Sequence, residues 1–290
     1  MAIERAMGSL QGLAVGDAFG ESLGDEPKQS KRISKRLLPP NRPWRWTDDT
    51  AMATSIVEVL ARHGTIDTDD LAASFAARWR ADPGRGYGLG AQIILQAVSE
   101  GGVWRDEAAK AFDGHGSAGN GAAMRAAPIG AYFAPDLDRV RVEALRSAEP
   151  THAHPDGAAG AVAVAVTAAL ATTREVPPAR WLAAAIDMTP PGKTRDRIRR
   201  AEQLGLDFEV QLAAEELGTG CNIRSRDTVP FCLWVAARHA DSYEDALWEA
   251  TAEIGDRDTL GAIVGGIVSC RAAVPFLWIA ATEPLPLTKQ

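Results

Sequence analysis

Two short acidic clusters, Thr47-Asp48-Asp49-Thr50 and Asp256-Arg257-Asp258-Thr259, stand about 200 residues apart, and each runs straight into an apolar, helix-like stretch. Any fold of this chain has to find a use for carboxylates at the mouths of two helices. One oxygen-bearing side chain is enough to cap a helix, because it accepts from the first free backbone N–H groups. A second adjacent carboxylate adds only repulsion unless a cation is near. Hard divalent ions take oxygen ligands in near-octahedral shells that neither cluster completes alone. Capping accounts for either cluster singly; a shared cation accounts for the pair, and it requires the fold to bring the start and the end of the chain together.

The rest of the chain favours helices as the means of doing so. Apolar residues make up 46% and aromatics only 6%, with Ala prominent, a balance that suits an Ala-rich helical globule better than a sheet protein. Met52, Ile56, Val59 and Leu60 share one helical face, Leu71, Phe75 and Trp79 recur at four-residue steps, and Ile93, Ile94 and Val98 repeat the pattern. The segment AVAVAVTAAL alternates as a strand does, but its small residue is Ala, so helix is expected. GAAGAVAVAVTAALATT from Gly157 reads as a buried helix too short to span a membrane. Gly261, Gly265 and Gly266 lie inside a helical pattern, where each costs about 1 kcal/mol relative to Ala; close packing against another helix explains them. No break is long enough for an interdomain linker, so residues 1–290 are expected to form one domain.

A net charge of −7 argues against a general nucleic-acid binder. The basic stretch between Lys28 and Arg45 is the local exception, read as a surface loop or as a positive flap over an anionic ligand, with Trp44 and Trp46 as its packing anchors. Cys221, Cys232 and Cys270 have no CxxC spacing, the first twenty residues carry no apolar signal core, and no membrane span is expected. A reducing, cytoplasmic location fits these features.

Chemistry also gathers in two glycine- and histidine-bearing segments. Gly114, Gly116 and Gly119 formally match G-x-G-x-x-G, but the preceding WRDEAAKAF is charged and helical where a dinucleotide fold needs a strand. What remains is a flexible turn or a backbone cradle for a pyrophosphate, with AAMRAAPIGAYF behind it as a helix N-terminus. Thr151-His152-Ala153-His154-Pro155 lacks the strand context of a zinc HxH pair. His152 is favoured as a hydrogen-bonding histidine, since His154 precedes a proline.

In order along the chain, GLAVGDAFGE, WTDDTAMA, DPGRGYGLG, GHGSAGNGAAMR, SAEPTHAHPDG and GDRDTLGAIVGG resemble the ADP-ribosylglycohydrolase family, which includes the ADP-ribosyl-dinitrogen-reductase hydrolases. The resemblance spans roughly residues 8 to 270. It implies an all-α, compact orthogonal multi-helix bundle with a two-ion Mg²⁺ (or Mn²⁺) centre, and makes Thr47, Asp48, Asp49, Asp256, Asp258 and Thr259 the metal ligands. It places Gly116, Ser117, Gly119 and Asn120 on the diphosphate of ADP-ribose, His152 on the ribose nearer the scissile bond, and Phe112 against adenine.

Two positions depart from the pattern. Ala118 stands where close relatives carry Tyr, and Gly24 where many carry a gating glutamate. Glu21 is the favoured substitute for that gate, ahead of Asp25 and Glu26; an ordinary surface carboxylate is the alternative.

The implied reaction is hydrolysis at the anomeric carbon of ADP-ribose, releasing it from a modified protein side chain or small conjugate. An O-linkage such as serine is slightly favoured over arginine. The general base is expected among Asp48, Asp49, Asp256 and Glu21. Two rivals stand beside this reading: a non-catalytic ADP-ribose-binding or structural relative, and a metal-dependent hydrolase of another nucleotide.

Overall fold

The computed structural model describes residues 1–24 and 32–287, and among them helix is the regular structure. Strand pairing is limited to isolated bridges at Trp44–Thr282 and Gly119–Arg224. Asp25, Glu26 and the first residues of the basic stretch lie outside the described residues.

The element that organises the fold is α1 (Ala2–Leu23), which packs along α14 (Arg257–Val268). Glycines make that contact possible. A Cβ on Gly16 would lie 2.0 Å from the carbonyl oxygen of Gly261, and one on Gly20 would lie 2.1 Å from that of Arg257. The expected close-packing role of Gly261 and Gly265 is therefore met, with Gly12, Gly16 and Gly20 as the opposing row. Backbone touches backbone, so the register of the two helices is fixed. The helices run antiparallel, which sets the C-terminal half of α1 beside the N-terminus of α14.

α2 (Asp48–His63) packs across α1 and begins at the first acidic cluster. Behind these elements lies α8 (Pro155–Thr173), built from the Ala/Val run that alternates in sequence. Its 19 residues reach the length and hydropathy of a possible membrane span, which corrects the reading that the run is too short. The helix is instead mostly buried, against α6 (Ala127–Phe133), α7 (Leu137–Ala148), α9 (Trp181–Met188), α12 (Ser225–Arg238) and α14. Small side chains on every face let so many neighbours approach.

α3 (Thr68–Ala81) buries Leu71 and Phe75 as their spacing predicts. In α4 (Leu89–Ser99) the buried residues are Ile94 and Leu95, whereas Ile93 is exposed, so the inward face is rotated from the expected one. α5 (Trp104–Lys110) leads into the glycine loop. The chain closes through α10 (Lys193–Leu204), α11 (Val210–Leu217), α13 (Tyr243–Ala250) and α15 (Phe276–Ala281).

Trp44 and Trp46 are anchors as expected. Trp44 is fully buried among Phe19 and Trp278 at centroid distances of 5.7 and 5.9 Å. Its backbone N–H donates to Ala281 (2.7 Å), and its carbonyl accepts from Glu283 (2.8 Å). Trp46 lies under the Arg85 guanidinium at 3.6 Å.

Candidate functional site

The α1–α14 register places one further carboxylate at the acidic clusters. Asp17 is fully buried on α1 and accepts from the backbone N–H groups of Thr47 (2.9 Å) and Thr50 (3.0 Å) and from both their hydroxyls. It holds the entrance of α2 from outside that helix. Sequence reasoning missed it, although a lone Asp inside the apolar run GLAVGDAFGE is a signal of a buried, partnered charge.

Capping does not use up the clusters. Thr47 caps α2 through its hydroxyl, which accepts from the Asp49 N–H at 3.4 Å. Asp48 and Asp49 follow inside the first turn, both buried. Asp256 occupies the N-cap position of α14 but forms no side-chain cap bond. Its Oδ2 instead accepts from Asn120 Nδ2 at 2.6 Å, and Thr259 bonds it as well.

The carboxylates feel one another. Burial, then the charge of Asp258, pushes Asp17 up to about 8 and Asp48 to about 7. Burial and Asp258 likewise raise Asp256 to about 8, and Asp49 is raised well above the usual range by burial and by Asp17, Asp258, Asp48 and Asp256 together. The inner oxygen Oδ1 of Asp49 is buried with no hydrogen-bond partner. A crowd of hard oxygen donors, each resisting ionisation, with one acceptor left orphaned, is what a divalent cation fits. Among the described residues no group of three or more His, Cys, Asp or Glu side chains is arranged to hold a metal ion as it stands.

The glycine loop adjoins this cluster. Gly116 has φ +72°, and a Cβ there would lie 2.6 Å from the backbone nitrogen of His154. The loop is pinned to the start of α12 and the residues just before it: Ser225 N–H donates to the Ala118 carbonyl (3.2 Å), Ser225 Oγ to that of Gly119 (2.9 Å), and Asn120 N–H to that of Ile223 (3.3 Å). Gly119 N–H donates to the Ser117 hydroxyl at 3.2 Å. Three of the four expected cradle amides are thus already engaged, those of Gly119 and Asn120 and that of Gly116, which donates to the Ala111 carbonyl at 2.9 Å. The N–H groups of Ser117 and Ala118 are the ones without a partner among the described residues. Nor does a helix open directly behind the loop, since turns fill Gly121–Arg125 and α6 starts only at Ala127. Phe112 has φ +55°, leaves its ring largely exposed, and sets one edge against Gly90.

His152 is buried next to Gly119 and Gly121. Its Nδ1 lies 2.7 Å from the Thr151 hydroxyl, which also accepts from Arg125 Nη2 at 2.8 Å. A guanidinium only donates, which leaves the Thr151 proton free for Nδ1, the arrangement in which a neutral imidazole carries its hydrogen on Nε2. Burial and the Arg125 charge hold His152 down at about 3, hence neutral. Arg125 is itself fully buried, and burial lowers it to about 9. An arginine inside the apolar stretch AAMRAAPIG was the unread sign of this relay. His154 Nδ1 accepts from Asp156 N–H and caps α8, so the two histidines act separately.

Glu21 lies in the last turn of α1, one turn beyond Asp17, and is exposed. Glycines flank it without loosening the backbone: Gly20 is helical and serves the close approach of α14, and the helix ends only at Gly24, whose φ is +59°.

A family model described as ADP-ribosylglycohydrolase matches residues 1–289. ADP-ribosylhydrolase ARH3 of Xenopus tropicalis is 32% identical over 216 residues, covering 71% of this chain and 61% of its own length. The human ARH3 is 31% identical over 231 residues, 74% of this chain and 60% of its own. The chain thus spans about 60% of the length of these relatives. A solved structure described as an ADP-ribosylglycohydrolase-related protein complex superimposes with a TM-score of 0.69 at 26% identity, over 97% of this chain and 93% of that one.

Proposed function

This chain belongs to the ADP-ribosylglycohydrolase family, and from that premise we propose that it hydrolyses the glycosidic bond at the anomeric carbon of an ADP-ribose unit, with Mg²⁺ or Mn²⁺ held between the two acidic clusters. The observation that carries the reading is the 2.6 Å bond from Asn120 to Asp256. It joins a loop suited to phosphate to a cluster suited to cations within the span of one ligand.

Thr47, Asp48, Asp49, Asp256, Asp258 and Thr259 are the expected ligands, and Asp17 fixes the α2 side of the set by holding Thr47 and Thr50. When bound, the ions supply charge neutralisation and Lewis acidity at the ribose. The unpartnered N–H groups of Ser117 and Ala118 and the Ser117 hydroxyl face the diphosphate. His152, neutral and protonated on Nε2, donates to a ribose hydroxyl and does not compete for the metal. Phe112 offers an open aromatic face to adenine.

A carboxylate must accept a proton from the attacking water. Asp48, Asp49, Asp256 and Glu21 are the candidates; Glu21 stands one turn beyond Asp17 on α1. Its test is Glu21→Gln, which should cut turnover while ADP-ribose binding holds; unchanged turnover returns Glu21 to an ordinary surface role.

The substrate is an ADP-ribosylated protein side chain or small conjugate, with O-linkage such as serine preferred over arginine on the motif resemblance. A panel of serine-linked, arginine-linked and acetylated ADP-ribose, each with Mg²⁺ and with excess chelator, tests both the reaction and the linkage. Full turnover in chelator would reject the metal, and a preference for the arginine linkage would reverse the specificity.

A further inference from the structure

Where the first acidic cluster enters α2, the leading backbone N–H groups all have acceptors. Those of Thr47 and Thr50 donate to Asp17, and that of Asp49 donates to the Thr47 hydroxyl. The N–H of Asp48 donates to the backbone carbonyl of Arg85 at 2.7 Å. A helix start needs acceptors for these groups, and here the cap is complete without the carboxylates of Asp48 and Asp49. Arg85 brings its acceptor from a loop, residues 82–88, that joins α3 to α4.

The same residue holds the chain on the other side of Thr47. Arg85 Nη1 donates to the Trp46 carbonyl (3.0 Å), and the guanidinium lies over the Trp46 ring. Its main chain thus takes Asp48 while its side chain takes Trp46. Gly86 follows at φ +90°, where a Cβ would stand 3.6 Å from Asp48 Oδ1 and 3.8 Å from Thr47 Cβ. The loop backbone therefore lies against the Asp48 carboxylate itself.

The guanidinium is locked in turn. It is 9% exposed, and it donates through Nη1 and Nη2 to the two oxygens of Glu283 (2.7 and 2.9 Å) and through Nε to Asp82 (2.7 Å). Bidentate pairing with a carboxylate fixes the plane of a guanidinium as well as its position. Glu283 is anchored by the segment that carries it. Its N–H donates to the Trp44 carbonyl (2.8 Å), the Pro284 carbonyl accepts from Trp46 Nε1 (3.2 Å), and the Pro286 carbonyl accepts from Arg78 Nη1 on α3 (3.1 Å).

We infer that Arg85 is a positioning residue for Asp48, and that Glu283 orients Arg85. Arg85 grips the backbone on both sides of Thr47 and sets Gly86 beside the Asp48 carboxylate, so the direction in which Asp48 faces a cation depends on a side chain that touches no cation. Any residue could lend the backbone carbonyl. Only arginine supplies the planar fork that reaches Glu283, Asp82 and the Trp46 carbonyl at once while stacking on the indole; a lysine keeps the charge and loses that geometry. The inference rests on the cation reading above and adds to it the residues that aim one of the expected ligands.

The test is calorimetric titration of the metal-free protein with Mg²⁺ and with Mn²⁺, for wild type, Arg85→Lys, Glu283→Gln and Glu216→Gln. Each melting temperature is measured in chelator alongside. Arg85→Lys should bind either ion about tenfold or more weakly, the usual effect of losing a group that orients a ligand. Glu283→Gln should shift affinity the same way by a smaller factor. Glu216→Gln, which removes the same charge from an exposed pair with Arg200, should match wild type. A melting temperature that falls in Arg85→Lys while metal affinity holds would make Arg85 a support of the fold alone and overturn the positioning role. If Arg85→Lys does not fold, Glu283→Gln decides: weaker binding sustains the role and unchanged binding overturns it. Wild type that binds neither ion rejects the cation reading, and the role of Arg85 with it, whereas tight wild-type binding matched by both variants rejects the role of Arg85 alone.

Discussion

Asn120 on the glycine loop donates its side-chain amide to Asp256 at 2.6 Å and to Thr228 at 3.1 Å, so the segment suited to phosphate and the second acidic cluster move as one unit. Their functions are therefore not separable by mutation at this position. Asn120→Ala should weaken Mg²⁺ or Mn²⁺ affinity by about tenfold or more, as loss of a partner that orients a ligand does, and weaken ADP-ribose binding with it. Calorimetric titration of the metal alone checks this; unchanged metal affinity would show that Asp256 does not need the amide.

Removing a carboxylate from the crowd should stabilise the metal-free protein and abolish its response to metal. For Asp258→Ala, the melting temperature without metal should rise or hold, the upward shift on adding Mg²⁺ should vanish, and turnover should nearly disappear. A ligand at 100 times its Kd contributes about 2.7 kcal/mol, so the wild-type shift should be several degrees. A normal Mg²⁺ shift in the variant would exclude Asp258 from the ligand set.

The same crowd gives the metal-free protein a pH dependence of definite sign. Asp17, Asp48 and Asp256 lie at about 8, 7 and 8 in the folded chain against 3.8 as the ordinary value. Groups raised on folding contribute stability fully present below the unfolded value and lost as pH rises through the folded one. Melting temperature in chelator should therefore fall between about pH 5 and pH 9, and saturating Mg²⁺ should flatten the decline. A metal-free protein that gains stability over that range would contradict the picture of mutually repelling carboxylates.

Thr151→Val tests the relay from Arg125 to His152. The change keeps shape but leaves Arg125 Nη2 with one acceptor fewer and frees the imidazole to exchange tautomers. In wild type, ¹⁵N spectra should show His152 protonated on Nε2 alone from about pH 5 to 8. The variant should populate the other tautomer and lose turnover, whereas Thr151→Ser should restore both. A variant spectrum identical to wild type would mean that something other than Thr151 fixes the ring.

Gly16→Ala should cost about 1–3 kcal/mol, the usual range for overpacking, because its Cβ would meet the Gly261 carbonyl oxygen at 2.0 Å. The helices must part, and Asp17 shifts relative to Asp258. Denaturant unfolding should show the loss, and metal affinity should fall with it. Gly8→Ala on the same helix, where a Cβ meets nothing within 4 Å, should leave both unchanged or improved.

The chain alone specifies the helices, the two acidic clusters, the glycine loop and the buried Ala/Val run, because each depends on short-range properties: a 3.6-residue period, cap chemistry, and the size of Ala and Gly. It also carried the family's motifs in order. Tertiary contacts alone bring Asp17 to the acidic clusters, link Arg125 to His152 through Thr151, and spend the amides of Gly119 and Asn120 on Ser117 and Ile223. Those facts follow from the register of α1 on α14 and from the pinning of the loop against the start of α12 and the residues just before it. Register is set by backbone contacts between residues some 245 positions apart, as at Gly16 and Gly261. No local pattern encodes which carboxylate such a contact will bury beside which.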